Sequence, residues 1–250
     1  MNRIFFGVIA ATVLCGSGTR SEPLEAERAV GPPTICFPID IGDGVSLPWS
    51  EEDKPVGYDP FSRVEATGGG ETAAVIKDTL AILEKESSAL VRMETLRRAA
   101  FYASGMKTKG RPPEWLADRL MSEVLTRALD REAADDDDKA TVEKGTAEAW
   151  LDAAWLRACY ADLGEHGSTR QYDWISRGLK LGGHQNPDFD FAAAVITMHA
   201  KALRRDRLEP FHAGHVKRAA TGAKEGSLLA KNLLARFGGE GATLAKLRGE

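Results

Sequence analysis

The 250-residue chain is poor in features that mark a particular chemistry. It has three cysteines, Cys15, Cys36 and Cys159, which is too few for a disulfide framework, and no Cys-x-x-Cys pair of the kind that holds structural zinc. It lacks the Gly-x-Ser-x-Gly elbow, the phosphate-cradling loop of nucleotide hydrolases, the Gly-x-Gly-x-x-Gly fingerprint and His-Glu-x-x-His. The common hydrolase, NTPase, dinucleotide and zinc-peptidase signatures are therefore missing, and no cofactor is implied. Charge imbalance is small: 33 Lys and Arg stand against 37 Asp and Glu, a formal charge of −4. Nothing in that balance favours a nucleic acid or an anionic membrane as partner. Beyond residue 14 no apolar stretch approaches the roughly 20 residues of a membrane span, so no integral membrane domain is expected once the N-terminus is removed.

At the N-terminus, Arg3 precedes the apolar run Ile4–Leu14, and small residues follow at Gly16, Ser17 and Gly18. This is the anatomy of a cleavable secretory signal, with cleavage after Gly18 and a periplasmic or secreted destination. A competing lipoprotein anchor through Cys15 is weakened by Leu14, which is large for the position before the lipidated cysteine. In an oxidising compartment Cys36 and Cys159 either pair or stay as separately buried thiols, and geometry decides between the two.

Composition divides the chain into a signal peptide (1–18), an irregular Pro/Gly-rich arm (19–70), a helical domain (71–238) and a flexible tail (239–250). In the arm, "ICFPIDIGDGVSLPW" (35–49) is unlike anything else in the sequence. Its apolar residues Ile35, Phe37, Ile39, Ile41, Val45, Leu47 and Trp49 fall on odd positions, so an extended segment can turn them to one surface. The expectation is an arm laid across the helices with Phe37 and Trp49 as anchors. "DIGDG" (40–44) reads as a turn stabilised by side-chain-to-backbone hydrogen bonds, or as a cup for an ion.

From Glu71 the hydrophobic period becomes 3.6 residues. Rows such as Ala89, Met93, Leu96, Ala100 and Ala103, or Leu116, Leu120, Val124 and Ala128, predict successive amphipathic helices. The row Ala147, Leu151, Ala154, Ala158 and Ala161 is dominated by small residues, which favours close helix approach. The segment 215–239 predicts one kinked helix or two short ones, broken near Gly222 to Gly226. The fold class is all-α: a helical bundle or a short α-α-hairpin solenoid with an extended N-terminal arm.

Residues 155–196 resemble a tetratricopeptide unit. One helix ends in Tyr160-x-x-Leu163-Gly164, a second in Gly178-Leu179-Lys180-Leu181, and Asn186-Pro187 opens the next. The segment departs from that pattern in loop length and in Ile175, where a small residue is usual. The resemblance implies a stack of helix hairpins. Signal, arm and helices together also resemble exported bacterial helical proteins to which no activity is attached.

Candidate site residues fall into two sets. Trp150, Trp155 and Trp174 lie on predicted helices, and Trp150 and Trp155, five apart, cannot share one seam, so one of them lines a groove or meets another element. They are the candidates for contact with a protein or peptide partner. His184, His199, His212 and His215 cluster in sequence, with Asp188 and Asp190 nearby; His212 and His215 are spaced to share a helix face, which makes a transition-metal or catalytic site the alternative. The run Asp135–Asp138 reads as a solvated loop, and basic pairs such as Lys217-Arg218 read as polar helix faces.

Overall fold

The computed structural model describes residues 34–49, 57–65, 70–106, 111–134, 139–163, 170–182, 185–202 and 209–250, with backbone alone at 139–144, 199–202 and 209–210. The signal peptide, Cys15, Asp135–Asp138 and His184 lie outside the described residues, as does the side chain of His199.

Chain order runs β1 (Arg63–Glu65), β2 (Glu71–Ala73), α1 (Ala74–Lys85), α2 (Ala89–Ser104), α3 (Leu116–Ala133), α4 (Lys139–Asp162), α5 (Arg170–Lys180), α6 (Pro187–Ala202), α7 (Glu209–Gly222), α8 (Leu228–Phe237) and α9 (Leu244–Arg248). The fold is all-α with one two-stranded sheet among the described residues, and an irregular arm precedes it. Successive helices pack on one another from α3 to α7, and α4 also touches α2 and α6, so it runs through the middle of the bundle. The segment with tetratricopeptide-like spacing falls on the end of α4, on α5 and on the start of α6.

The stripes read from the sequence are the buried faces. Leu116, Leu120, Val124 and Ala128 are the buried residues of α3 that face α4. Ala147, Leu151, Ala154 and Ala158 are buried on α4, and their small side chains bring its neighbours close: a Cβ at Gly178 of α5 would stand 3.0 Å from the Ala147 carbonyl. Each large apolar side chain removed from water in such a core contributes about 1.5–3 kcal/mol.

Helix α2 is different, because it is buried on nearly every face, charged residues included: Arg92, Glu94 and Arg97 are all enclosed. Arg92 forms a bidentate pair with Asp152 of α4 and donates to the carbonyls of Leu83 (2.6 Å) and Glu86 (2.7 Å), tying the α1–α2 turn to the central helix. Burial opposes charge on this guanidinium, but Asp152 and Glu148 outweigh it and raise its pKa.

Two elements depart from expectation. Residues 71–73 open as strand β2, antiparallel to β1 with Val64 opposite Thr72. The turn before β1 then serves α1, which has no side-chain cap: the carbonyls of Ser62 and Pro60 accept from the amides of Ala74 (2.9 Å) and Val75 (3.1 Å). The tail is not frayed throughout. Thr243 caps α9, Leu244 is buried, and Arg248 donates to the carbonyls of Ala220 (3.0 Å) and Ala223 (3.1 Å) at the end of α7. The break at 222–226 resolves into two helices, α7 and α8.

Candidate functional site

Two polar regions stand out, at different places on the bundle. The first holds the arm. Residues 34–49 are extended and irregular, and their backbone is gripped by side chains of α2, α4 and α8. At the end of α4, Asp162 accepts from the Thr34 amide (2.6 Å), the Thr34 hydroxyl and the Ile35 amide (3.2 Å). From α2, Arg97 donates to the Ile35 carbonyl (3.0 Å), Glu94 accepts from the Ile39 amide (3.0 Å), and Arg98 donates to the Leu47 carbonyl (2.6 Å). The Tyr102 hydroxyl donates to the Pro48 carbonyl. From α8, Asn232 bonds both the amide and the carbonyl of Asp40 (2.8 Å each), and Arg236 donates to the Phe37 carbonyl (3.1 Å).

The alternation read from the sequence is largely what the structure uses. Ile35, Ile39 and Leu47 are buried, Phe37, Ile41 and Trp49 are half-buried, and Val45 alone of the set is exposed. The deepest anchors are Ile35, Ile39 and Leu47, and of the two anchors expected from the sequence Trp49 packs against the core. Trp49 rests on Phe101 (ring centroids 5.2 Å) and Tyr102 (6.0 Å) with the buried Arg97 guanidinium 5.1 Å from its ring, and the Arg236 guanidinium lies 4.6 Å from the Phe37 ring. "DIGDG" is a turn: the Gly42 amide donates to Asp40 Oδ1 (3.0 Å) with φ +57°, and Gly44 presses so closely on α2 that a Cβ there would stand 2.5 Å from Val91.

Charges under the arm compensate one another. Burial raises the pKa of Glu94, but Arg97, the Ile39 amide and Arg98 outweigh it and hold the carboxyl below its ordinary range. Burial, with Arg97 close by, lowers Arg236 to about 10. No disulfide joins Cys36 to Cys159. Cys159 is fully enclosed on α4, where burial and Asp162 push its thiol well up, while Cys36 is half-buried in the arm. Of the two outcomes open in the sequence, the separate thiols are the one seen.

The tryptophans are not surface groups as a set. Trp150 and Trp155 are both buried, at 2% and 0% exposure, so a partner cannot reach them while the helices stay packed. Because α4 is central, opposite faces of it are both interior. Trp150 packs with Ala128, Leu125 and Trp174 (ring centroids 6.3 Å) under the Arg177 guanidinium, whereas Trp155 belongs to the main core. Trp174 is half-buried.

The second region lies between the start of α6 and the end of α7. Asn186 opens α6 by accepting from the Asp188 amide (3.0 Å), and this places Asp190, 1% exposed, in the first turn facing α7. His215 Nδ1 lies 2.7 Å from Asp190 Oδ1 and 2.7 Å from Arg218 Nη2, donating to the first or accepting from the second according to its tautomer, and Arg218 Nε donates to the same Asp190 oxygen (2.9 Å). His212, one turn earlier, turns Nδ1 to the Ala194 carbonyl of α6 (3.0 Å). The two histidines therefore each bind α6 separately. Among the described residues, no group of three or more His, Cys, Asp and Glu is placed to hold a metal ion. Over the Asp190–His215–Arg218 cluster lies a solvent-open cleft of about 430 Å³, lined by Gln185, Pro187, Asp190, Gly214, Lys217, Arg218, Thr221 and Gly222. Phe211, 52% exposed, lies one turn before Gly214 on α7, its ring 5.8 Å from that of Tyr172 and tilted 44° to it, and the Tyr172 ring meets His215 edge-on. Asp188, beside Asp190, is pushed up to about 6 by burial.

Arg218 and Lys217 were legible only as a basic pair. The available signal was spacing: Arg218 falls one turn after His215, and Asp190 falls one turn into the preceding helix. No family model matches the sequence, and no curated protein or solved structure matches the chain.

Proposed function

We propose that the chain is an exported, non-enzymatic helical interaction protein whose partner is a protein or peptide, and that the partner docks on the α5–α7 face around the cleft. One observation carries the choice of face: the cleft combines an open volume of about 430 Å³ with a half-exposed arginine held in place by a buried carboxylate, and the exposed Phe211 lies one turn before Gly214 on the same helix. Fixed polar groups beside an exposed aromatic are what hot spots of recognition are made from. The tetratricopeptide-like spacing of 155–196 agrees with a surface formed by packed helix hairpins. Export rests on the apolar run Ile4–Leu14 behind Arg3.

The test is comparative capture from the native envelope or medium. A partner held by the wild-type chain is expected to be lost from Phe211→Ala and Lys217→Ala, and kept by Val45→Ala, which alters the exposed side of the arm. Equal capture by all four proteins, with unchanged thermal midpoints, would count against this face.

The alternative, an exported metal-binding protein or enzyme based on His184, His199, His212 and His215, has the Asp190–His215 pair in its favour, since a carboxylate that fixes one ring nitrogen orients the other. Elemental analysis of the purified protein decides it: stoichiometric metal supports this alternative, and its absence removes the metal branch.

A further inference from the structure

We propose that the α6–α7 cleft is a carboxylate-binding site, with Arg218 and Lys217 as the recognising cations; this rests on the interaction reading and names the group of the partner that enters. Four features of the cleft lead there.

The first is preorganisation. A surface arginine normally samples many rotamers, and ordering it opposes binding. Here Asp190, itself buried, holds Arg218 through Nε, so the guanidinium is already oriented with half of its side chain open to solvent. The second is space. Gly214 has no side chain where Arg218 Nη1 passes: a Cβ there would stand 3.3 Å from that nitrogen. The third is charge. Lys217 and Arg218 bring two positive charges to the lining and Asp190 brings one negative, which leaves one unit of positive charge. That excess matches a monovalent carboxylate better than a phosphate dianion. The fourth is the neutral lining, where Gln185 adds a hydrogen-bonding amide and Pro187 a firm apolar wall, while the Thr221 hydroxyl is already donated to the Lys217 carbonyl (2.8 Å). The volume of about 430 Å³ lies in the range of sites that enclose small ligands and leaves room for residues beside the carboxylate.

Two sources offer the same chemistry, an acidic side chain and a free C-terminus. The experiment separates them by titrating the isotope-labelled full chain and following the Arg218 Nε–H signal and the Gly214 and Thr221 amides. One probe is a capped peptide with a single internal Glu; the other is a peptide without acidic side chains but with a free C-terminal carboxylate. Sodium chloride and sodium phosphate at matched ionic strength complete the set.

Saturable shifts are expected with at least one peptide, at a dissociation constant on the order of 1 mM. Whichever peptide binds more tightly identifies the source. Lys217→Ala is expected to weaken binding about fivefold, the size of one partly exposed charge contact. Gly214→Leu fills the cleft without removing a charged group and suits a helix better than glycine, so it should abolish the shifts while keeping the thermal midpoint. Equal shifts with chloride or phosphate would mean unselective screening and overturn the proposal. Retention of binding in folded Gly214→Leu would place the carboxylate elsewhere and overturn it too. If neither peptide shifts the signals while partner capture still depends on Phe211 and Lys217, the interaction surface stands and the carboxylate assignment falls.

Discussion

The arm groove and the α6–α7 cleft are built from the same materials and put to opposite uses. Each fixes basic side chains on a buried carboxylate: Glu94 holds Arg97 and Arg98 under the arm, and Asp190 holds Arg218 at the cleft. In the groove, Glu94, Arg97 and Arg98 also bond the backbone of residues 35–47, so the chain's own arm completes them. In the cleft, the same pairing fixes a guanidinium that still faces water. A buried ion pair on its own does not indicate function. What distinguishes the two regions is whether the chain itself covers the remaining donors.

Breaking the groove should have the largest effect. Glu94→Ala leaves Arg97 and Arg98 without their shared carboxylate and the Ile39 amide without its acceptor, and should cost about 3–5 kcal/mol in urea unfolding at neutral pH. Asp162→Ala removes the acceptor for Thr34 and Ile35 at the arm's N-terminal end and should cost about 1–3 kcal/mol. It should also loosen residues 34–37 before 39–47, which amide exchange can resolve.

Acid should act on the two regions in opposite directions. The pKa of Glu94 is lowered in the folded protein, so its contribution is present above the ordinary carboxylate range and is lost as pH falls through its folded value. Asp188 is raised to about 6, so the fold is penalised when that group ionises: stability falls as pH rises from about 4 to about 6. Asp188→Asn should therefore stabilise by about 1–2 kcal/mol at pH 7 and have little effect near pH 4; a pH-independent gain would contradict the burial argument. The smallest effects belong to the cleft's rim. Lys217→Ala should change stability by less than about 0.5 kcal/mol, because that side chain is exposed.

The course of the helices and the inward-facing alternation of the arm were legible in the sequence because both follow from hydrophobic period alone. Leu116, Leu120, Val124 and Ala128 needed no partner to reveal their face, and neither did Ile35, Ile39 and Leu47. Period cannot show an element buried on every side. Trp150 and Trp155 looked incompatible with one seam because α4 has neighbours all around it. Nothing local marks Glu94 and Arg97 as buried, because the backbone groups they bond lie 55 and 62 residues away, in the arm. The cleft was missed for the same reason: Asp190 and Arg218 are 28 residues apart and meet only once α6 and α7 pack. Likewise, β1 and β2 are short, and the capping of the first amides of α1 by the Pro60 and Ser62 carbonyls in the turn before β1 is a matter of placement rather than composition.

The cleft is the surface proposed for a partner, and the arm is part of the folded core. Native-state hydrogen exchange on the full chain tests it most directly, at the amides of Ile35, Ile39 and Asp40, which donate to Asp162, Glu94 and Asn232. These amides are expected to exchange only through global unfolding, with the same denaturant dependence as the buried positions of α2 and α4. Exchange through a local opening that is insensitive to denaturant, while α2 and α4 stay protected, would contradict it and return the arm to the status of a docking segment.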